Sequence, residues 1–338
     1  MPGDDPAPRS RLRTALAVAI GVTLLVVLLV YTGFDELHDQ FEKLGALSPL
    51  VLLPYVGVSL CDALSWRMTL PEGVRRGVPF PAFVLARIAG EAVNSVTPTA
   101  TLGGEPVKAH LLRAYGVPLS DGLASIVLAK TTLTIAQSLF TALGIVGLLV
   151  VLDRAGMAGL WSVVFLATLV GFTYLLLHVQ QRNPVTAVWR WLSRLMPNLH
   201  VLHRLEPSVK AIDERLQDFY RGERWSFATA TAWNFAGWLF GVVEVQLILT
   251  LIGHPISWLE AFVIEAVAQP IRAVAIIIPG GLGVQEWGGV AFCHFLGMPE
   301  SVAATLWLCK RGREIVFDIF GLLYLARRTA VDGYRARA

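Results

Sequence analysis

Apolar residues run without a charge through 14–31, 131–152 and 158–177, and through 47–66, 226–252, 258–278 and 301–326 with scattered charges. A bilayer core about 30 Å thick needs roughly 20 apolar helical residues to cross it. The three uncharged runs, together with 47–66, 226–252 and 301–326, predict six full spans. The remaining stretches, 82–115 and 258–296, are broken by Pro and Gly and fit no simple span. The predicted fold class is all-α, a polytopic integral membrane bundle.

Composition agrees with this pattern. Of 338 residues, 55% are hydrophobic and 16% charged, with mean hydropathy +0.59. Soluble domains carry about 25% charged residues. With 28 Lys and Arg against 25 Asp and Glu, the net charge of +3 leaves no phosphate-binding footprint, so no nucleic-acid partner is expected. Cys61, Cys293 and Cys309 lie far apart without CxxC spacing, which excludes a disulfide framework or a zinc knuckle.

Basic residues orient the chain, because translocated loops are depleted in them. With the N-terminus inside, 19 Lys and Arg fall in cytoplasmic segments, and only Lys43 and Arg154 fall outside. Tails at 1–13 and 327–338 are then both cytoplasmic, around a single membrane-embedded domain over 14–326. The first span follows Arg9, Arg11 and Arg13 but lacks a small-x-small cleavage site, so it reads as an uncleaved anchor. In the cytoplasmic stretch 179–224, two apolar faces recur: Val185, Val188, Trp189, Leu192 and Leu195, then Val209, Ile212, Leu216 and Phe219 after Pro207. Two amphipathic helices on the inner leaflet account for them, since basic polar faces suit anionic headgroups. Packing of the same faces on the bundle is the alternative.

The two broken stretches resemble each other. The first reads AFVLARIAGEAVNSVTPTATLGGEPVKAHLLRAYGVP from Ala82, with a break at 98–104 and a second helix too short to cross. The second breaks at Pro279, Gly280 and Gly281 and resumes near Gly283. Two re-entrant hairpins of opposite sense, as in an inverted repeat, explain both; broken helices at corresponding places mark transporter sites. Arg87, Glu91 and Asn94 stand at i, i+4 and i+7, and Glu265, Gln269 and Arg272 share that spacing. Each tip then opens a helix whose free amides suit an anionic group such as phosphate. Glycines that merely permit chain reversal or close packing are the plainer reading of either tip alone.

At membrane depth this layout leaves seven basic residues, Arg87, Lys108, Lys130, Arg272, Lys310, Arg311 and Arg313. Nine acids join them: Asp62, Glu91, Glu105, Glu244, Glu260, Glu265, Glu286, Glu314 and Asp318. Each costs roughly 2.5–3.5 kcal/mol at a helix centre, so they must face protein or water. Lys130, Thr134, Gln137 and Thr141 share one face, as do Asn234, Gly237, Gly241 and Glu244. On the last span, Lys310 and Glu314 fall at pairing distance along the helix. Asp62 and Arg67 read as snorkelling or capping groups near a span end, and a structural ion-pair network is the alternative for the last-span cluster. A path lined by both signs suits an anionic or zwitterionic amphiphile better than a bare ion. His200 and His203 lie in the surface loop, and no HExxH, GxSxG or CxxC occurs, so no metal, cofactor or catalytic residue is expected.

The pieces EAVNSVTPTATLGGEPVKAHLL and IPGGLGVQEWGGVAF, followed by a charged last span, resemble the transmembrane, flippase-like region of bacterial lysylphosphatidylglycerol synthases over about 14–326. That resemblance implies a lipid-translocating module with a re-entrant core. It implicates Asn94, Pro98, Gly103, Gly104 and Glu105 in the first block, and Pro279, Gly280, Gly281, Gly283 and Glu286 in the second. The soluble aminoacyl-transferase domain of bifunctional members is not matched, since 12 residues follow the last predicted span. The expectation is a translocase of the bacterial inner membrane that moves a phospholipid or lipid-linked headgroup. Its expected pathway adds Glu91, Lys108, Lys130, Gln269, Arg272, Arg311, Arg313 and Glu314 to the motif residues. Membrane lipids are the expected partners, with a homodimer or lipid-pathway enzymes beside them. Two other readings stand: a membrane transferase with Glu91, Glu105 or Glu286 as general base, and a scaffold for a lipid pathway.

Overall fold

The computed structural model describes residues 34–97, 103–152, 200–274 and 281–335, with isolated positions 23, 26, 27, 30, 171, 186, 189, 194 and 278. Apart from those isolated positions, the expected spans 14–31 and 158–177 and the proposed surface helix at 184–197 lie outside the described residues. No strand occurs among the described residues. The helices are α1 (Phe34–Leu44), a 3-10 stretch (Gly45–Val51), α2 (Leu52–Met68), α3 (Glu72–Arg75), α4 (Phe80–Val96), α5 (Glu105–Arg113), α6 (Leu119–Leu152), α7 (His200–Gly222), α8 (Arg224–Leu251), α9 (Trp258–Val274), α10 (Val284–Phe295) and α11 (Glu300–Arg335).

Among the described residues, three helical segments are long and apolar enough to cross a membrane: Leu37–Met68, Leu119–Leu152 and Arg224–Leu251. The span expected at 226–252 matches α8. The one expected at 131–152 begins twelve residues earlier, at Leu119, because Lys130 does not interrupt a helix that Pro118 starts. The last one runs to Arg335, so most of the expected tail at 327–338 is helical. At about 1.5 Å per residue its 36 residues extend some 54 Å, well beyond the hydrocarbon core. Its second half turns Ile315, Val316, Ile319, Phe320 and Leu323 outward, and α6 exposes Leu139, Leu143, Val146 and Val150. Stripes of large apolar side chains on an outer surface suit contact with lipid.

The chain gathers into two compact units that interleave in sequence, where the sequence reading has one domain over 14–326. One comprises 1–56, 88–104 and 240–338; the other comprises 57–87 and 105–239. In the first, α10 packs on both α9 and α11, and α11 also packs on α1, whose Leu37 and Leu44 are buried. Gly321 lets α11 approach α4 closely, since a Cβ there would come within 2.6 Å of the Ile88 carbonyl oxygen.

In the second unit, α6 packs on α5 and α7. The placement of α7 corrects one expectation. Its apolar face does not lie free for the leaflet: Ile212, Leu216 and Phe219 pack with Ala124 and Leu128 of α6. Arg215 pairs with Asp121 of α6 at 3.0 Å, and the helix runs through Pro207 rather than starting after it. An amphipathic pattern states that one face is apolar, not whether lipid or protein covers it. Leu216 is fully buried here, so Leu216→Ala is expected to cost about 2–5 kcal/mol. Limited proteolysis in detergent should then cut 200–222 faster than in the unmodified chain.

Candidate functional site

Both broken stretches close in the manner their glycines require. At the first tip the Gly104 N–H donates to Asn94 Oδ1 at 2.7 Å, tying the start of α5 to α4. A Cβ on Gly104 would lie 1.9 Å from the Gly90 carbonyl oxygen, so only glycine fits. At the second tip Gly281 and Gly283 have φ of 63° and 74°, the left-handed region that favours glycine. The Gly281 N–H donates to the Ile278 carbonyl at 2.8 Å, and α10 starts directly after Gly283. Pro98, Pro279 and Gly280 lie outside the described residues. Gly103 is half-buried beside Gly104.

Each short helix presents a glutamate in its first turn to a cation on the long helix that follows. Glu105 Oε1 lies 2.9 Å from Lys130 Nζ and 3.2 Å from Lys108 Nζ. Glu286 Oε1 accepts from Arg311 Nε. The correspondence is regular: Glu105, Gly116, Pro118 and Lys130 stand at i, i+11, i+13 and i+25, and so do Glu286, Gly297, Pro299 and Arg311. Both intervening glycines carry a positive φ, 80° at Gly116 and 88° at Gly297, ending one helix before the proline begins the next. This spacing is written in the sequence but escapes a search for identical residues, because the cation is Lys in one block and Arg in the other.

The densest charge lies in the first unit. Lys310 Nζ donates to Glu265 Oε2 at 2.7 Å and to Glu244 Oε2 at 3.1 Å, with all three side chains at most 3% exposed. Gly241 leaves the space that Glu265 fills, since a Cβ there would lie 2.8 Å from its Oε1. Gln269 Nε2 donates to the Glu265 carboxylate at 3.2 Å. Arg313 sits 3.0 Å from Glu244 and 4.0 Å above the Tyr55 ring, a cation–π contact. Arg311 Nη1 donates to Glu314 Oε2 at 2.8 Å, and Arg272 Nη2 stands 3.8 Å from Glu314 Oε1. Four acids and four cations on α8, α9, α10 and α11 thus pair directly, with Asp318 of α11 in electrostatic reach of Arg311 and Glu314.

The expected pathway residues therefore fall into two groups. Gln269, Arg272, Glu286, Arg311, Arg313 and Glu314 join one network, and Asn94 and Gly104 close the first tip within the same unit. Glu91 is half-buried on α4, with its carbonyl accepting from Ser95 Oγ at 3.1 Å. Glu105, Lys108 and Lys130 belong to the second unit. Two pairings differ from the sequence reading. Lys310 turns away from Glu314 toward acids on neighbouring helices, where two carboxylates outweigh one. Asp62 is no capping group: it accepts from Arg87 Nε at 2.9 Å, with Ser59 Oγ taking Nη1 at 3.2 Å. Glu244, Glu265, Lys310 and Tyr55 were not among the pathway candidates, although the three charges were legible as groups at membrane depth.

The sequence of the lysylphosphatidylglycerol synthase TM region matches this chain over residues 15–320. The chain belongs to that family. A UPF0104 membrane protein of Methanothermobacter thermautotrophicus is 26% identical over 310 residues, covering 88% of this chain and 90% of the relative. Another UPF0104 membrane protein, from Pyrococcus horikoshii, is 20% identical over 309 residues, covering 88% and 91%. No solved structure matches the chain. Both tips and both Glu–cation blocks lie inside the matched TM region, so the network described above belongs to the family portion of the protein.

Proposed function

We propose that this TM-region protein is a lipid translocase that carries a phospholipid or lipid-linked headgroup across the cell membrane. The observation that carries the reading is the largely buried network of paired charges beside the second tip, on helices whose outer faces are apolar. Six buried charges with two half-buried ones beside them are costly, and a bundle could fill the same volume with hydrophobic residues at equal or greater stability. A route for a polar headgroup gives such charges a use while the acyl tails stay in lipid.

In this reading six spans and two re-entrant hairpins of opposite sense form an inverted repeat, with both termini cytoplasmic. The equal spacing of Glu, Gly, Pro and cation in the two blocks supports the repeat, and the excess of Lys and Arg in the segments assigned inside supports the orientation. Each tip then serves one leaflet. Among the described residues the charges at membrane depth pair with opposite sign rather than forming a ring of like charge, which suits a channel poorly.

Reconstitution tests the proposal. Proteoliposomes carrying the full chain should equilibrate fluorescent phospholipids between leaflets at least tenfold faster than empty vesicles. Rates equal to those of empty vesicles across anionic, zwitterionic and polyprenyl-phosphate lipids would sink it.

A further inference from the structure

The ion-pair chain beside the second tip ends in open polar atoms on both sides. Arg311 holds Glu286 through Nε and Glu314 through Nη1. Beyond Glu314 stands Arg272, at 3.8 Å, too far for a hydrogen bond. Its Nε and Nη2 are buried without a hydrogen-bond partner among the described residues. At the other end Glu286, 1% exposed, keeps Oε2 buried and equally without one. Buried polar atoms are nearly always paired, and each orphan calls for an explanation.

The two ends ask for opposite chemistry. An arginine with two unused N–H groups is built to receive anionic oxygens, and phosphate fits its fork. A carboxylate oxygen accepts only, so its missing partner is an N–H or O–H donor. The two open ends are of opposite sign, so a ligand that answers both must itself carry both signs. A phosphate alone would leave Glu286 unanswered and add a net negative charge. An amine alone would leave Arg272 unanswered.

We infer that this network selects a zwitterionic phospholipid headgroup with a primary ammonium, its phosphate on Arg272 and its ammonium on Glu286. The inference rests on the translocase reading for how the headgroup arrives. It separates ethanolamine from choline headgroups, which share the same charges, because a quaternary ammonium has no N–H to offer Glu286. It also separates ethanolamine from glycerol headgroups, which lack the cation.

Acyl-labelled phosphatidylethanolamine, phosphatidylcholine and phosphatidylglycerol, each in proteoliposomes of the full chain, provide the test. One charged hydrogen bond corresponds to about tenfold or more, so phosphatidylethanolamine should cross at least tenfold faster than phosphatidylcholine. Glu286→Gln should abolish that preference, and Arg272→Gln should slow all three lipids alike. Equal rates for ethanolamine and choline lipids, both above empty vesicles, would overturn the inference and leave the translocase reading standing. If none of the three lipids crosses, calorimetric binding of short-chain ethanolamine and choline lipids to the detergent-solubilised chain decides the inference alone, and polyprenyl-phosphate lipids decide the translocase reading. A tenfold preference for ethanolamine supports it, and equal binding overturns it. Both comparisons use the unmodified protein, so a variant that fails to fold does not remove the test.

Discussion

Lys310→Met is expected to lower stability by about 3–5 kcal/mol, enough to prevent accumulation of a folded chain. Methionine fills similar volume but leaves Glu244 and Glu265 facing one another's charge in a site at most 3% exposed. Glu244 keeps Arg313 at 3.0 Å, whereas Glu265 loses its direct ionic partner and keeps Gln269 as its hydrogen-bond donor, with Arg272 and Arg313 acting from further away. The damage should therefore be reversible by removing that one charge. The double variant Lys310→Met with Glu265→Gln is expected to recover most of the lost stability, while Lys310→Met with Glu244→Gln recovers less. Thermal unfolding followed by size-exclusion fluorescence in detergent gives the order. Equal stability of both double variants would show that Glu265 is not the group left stranded.

Gly104→Ala is expected to cost about 3 kcal/mol, the upper end of what overpacking exacts. The new Cβ would stand 1.9 Å from a backbone carbonyl oxygen of Gly90, which has no rotamer with which to withdraw. The shift needed would also pull the Gly104 N–H off Asn94. Gly289→Ala offers an informative contrast, because its Cβ would meet the Trp307 ring at 1.8 Å. Trp307→Leu should relieve Gly289→Ala in part, whereas no side-chain replacement relieves Gly104→Ala. Gly73→Ala, with nothing within 4 Å, serves as the neutral control. Melting temperatures and lipid-crossing rates of these variants in one membrane preparation check the ranking; a Gly104→Ala chain that matches the Gly73→Ala control would refute the close approach.

Helices with strong hydropathy were legible in the sequence. Residues 226–252 predicted α8 almost to its ends, and the charged last helix was recognisable despite four ionised residues in five positions near its middle. Both tips were legible too, because Pro and Gly interrupt an otherwise apolar run. Partner choice was not. Helical periodicity names neighbours on the same helix, which pairs Lys310 with Glu314, but it carries no information about Glu244 and Glu265 on other helices. Asp62 was misread for that same reason, as its partner Arg87 lies on a different helix. The face of α7 was visible as apolar, yet the choice between lipid and α6 depends on which surface reaches it first. Tyr55 carried no signal at all, since an aromatic in an apolar run looks like any other core residue until a guanidinium lies over its ring.

The Gly–X–Pro punctuation before α6 and α11 has a consequence for angular phase. By fixing where each long helix begins, the proline also fixes which way its twelfth residue points, and in both cases that residue is the cation facing the first-turn glutamate. One residue inserted between Pro118 and Lys130 would rotate Lys130 by about 100° around the helix axis and move it about 1.5 Å along it. Four inserted residues would nearly restore the heading at a depth about 6 Å further on. The distance from the proline to the cation therefore acts as a vernier, setting at once the direction and the membrane depth at which each unit presents its charge.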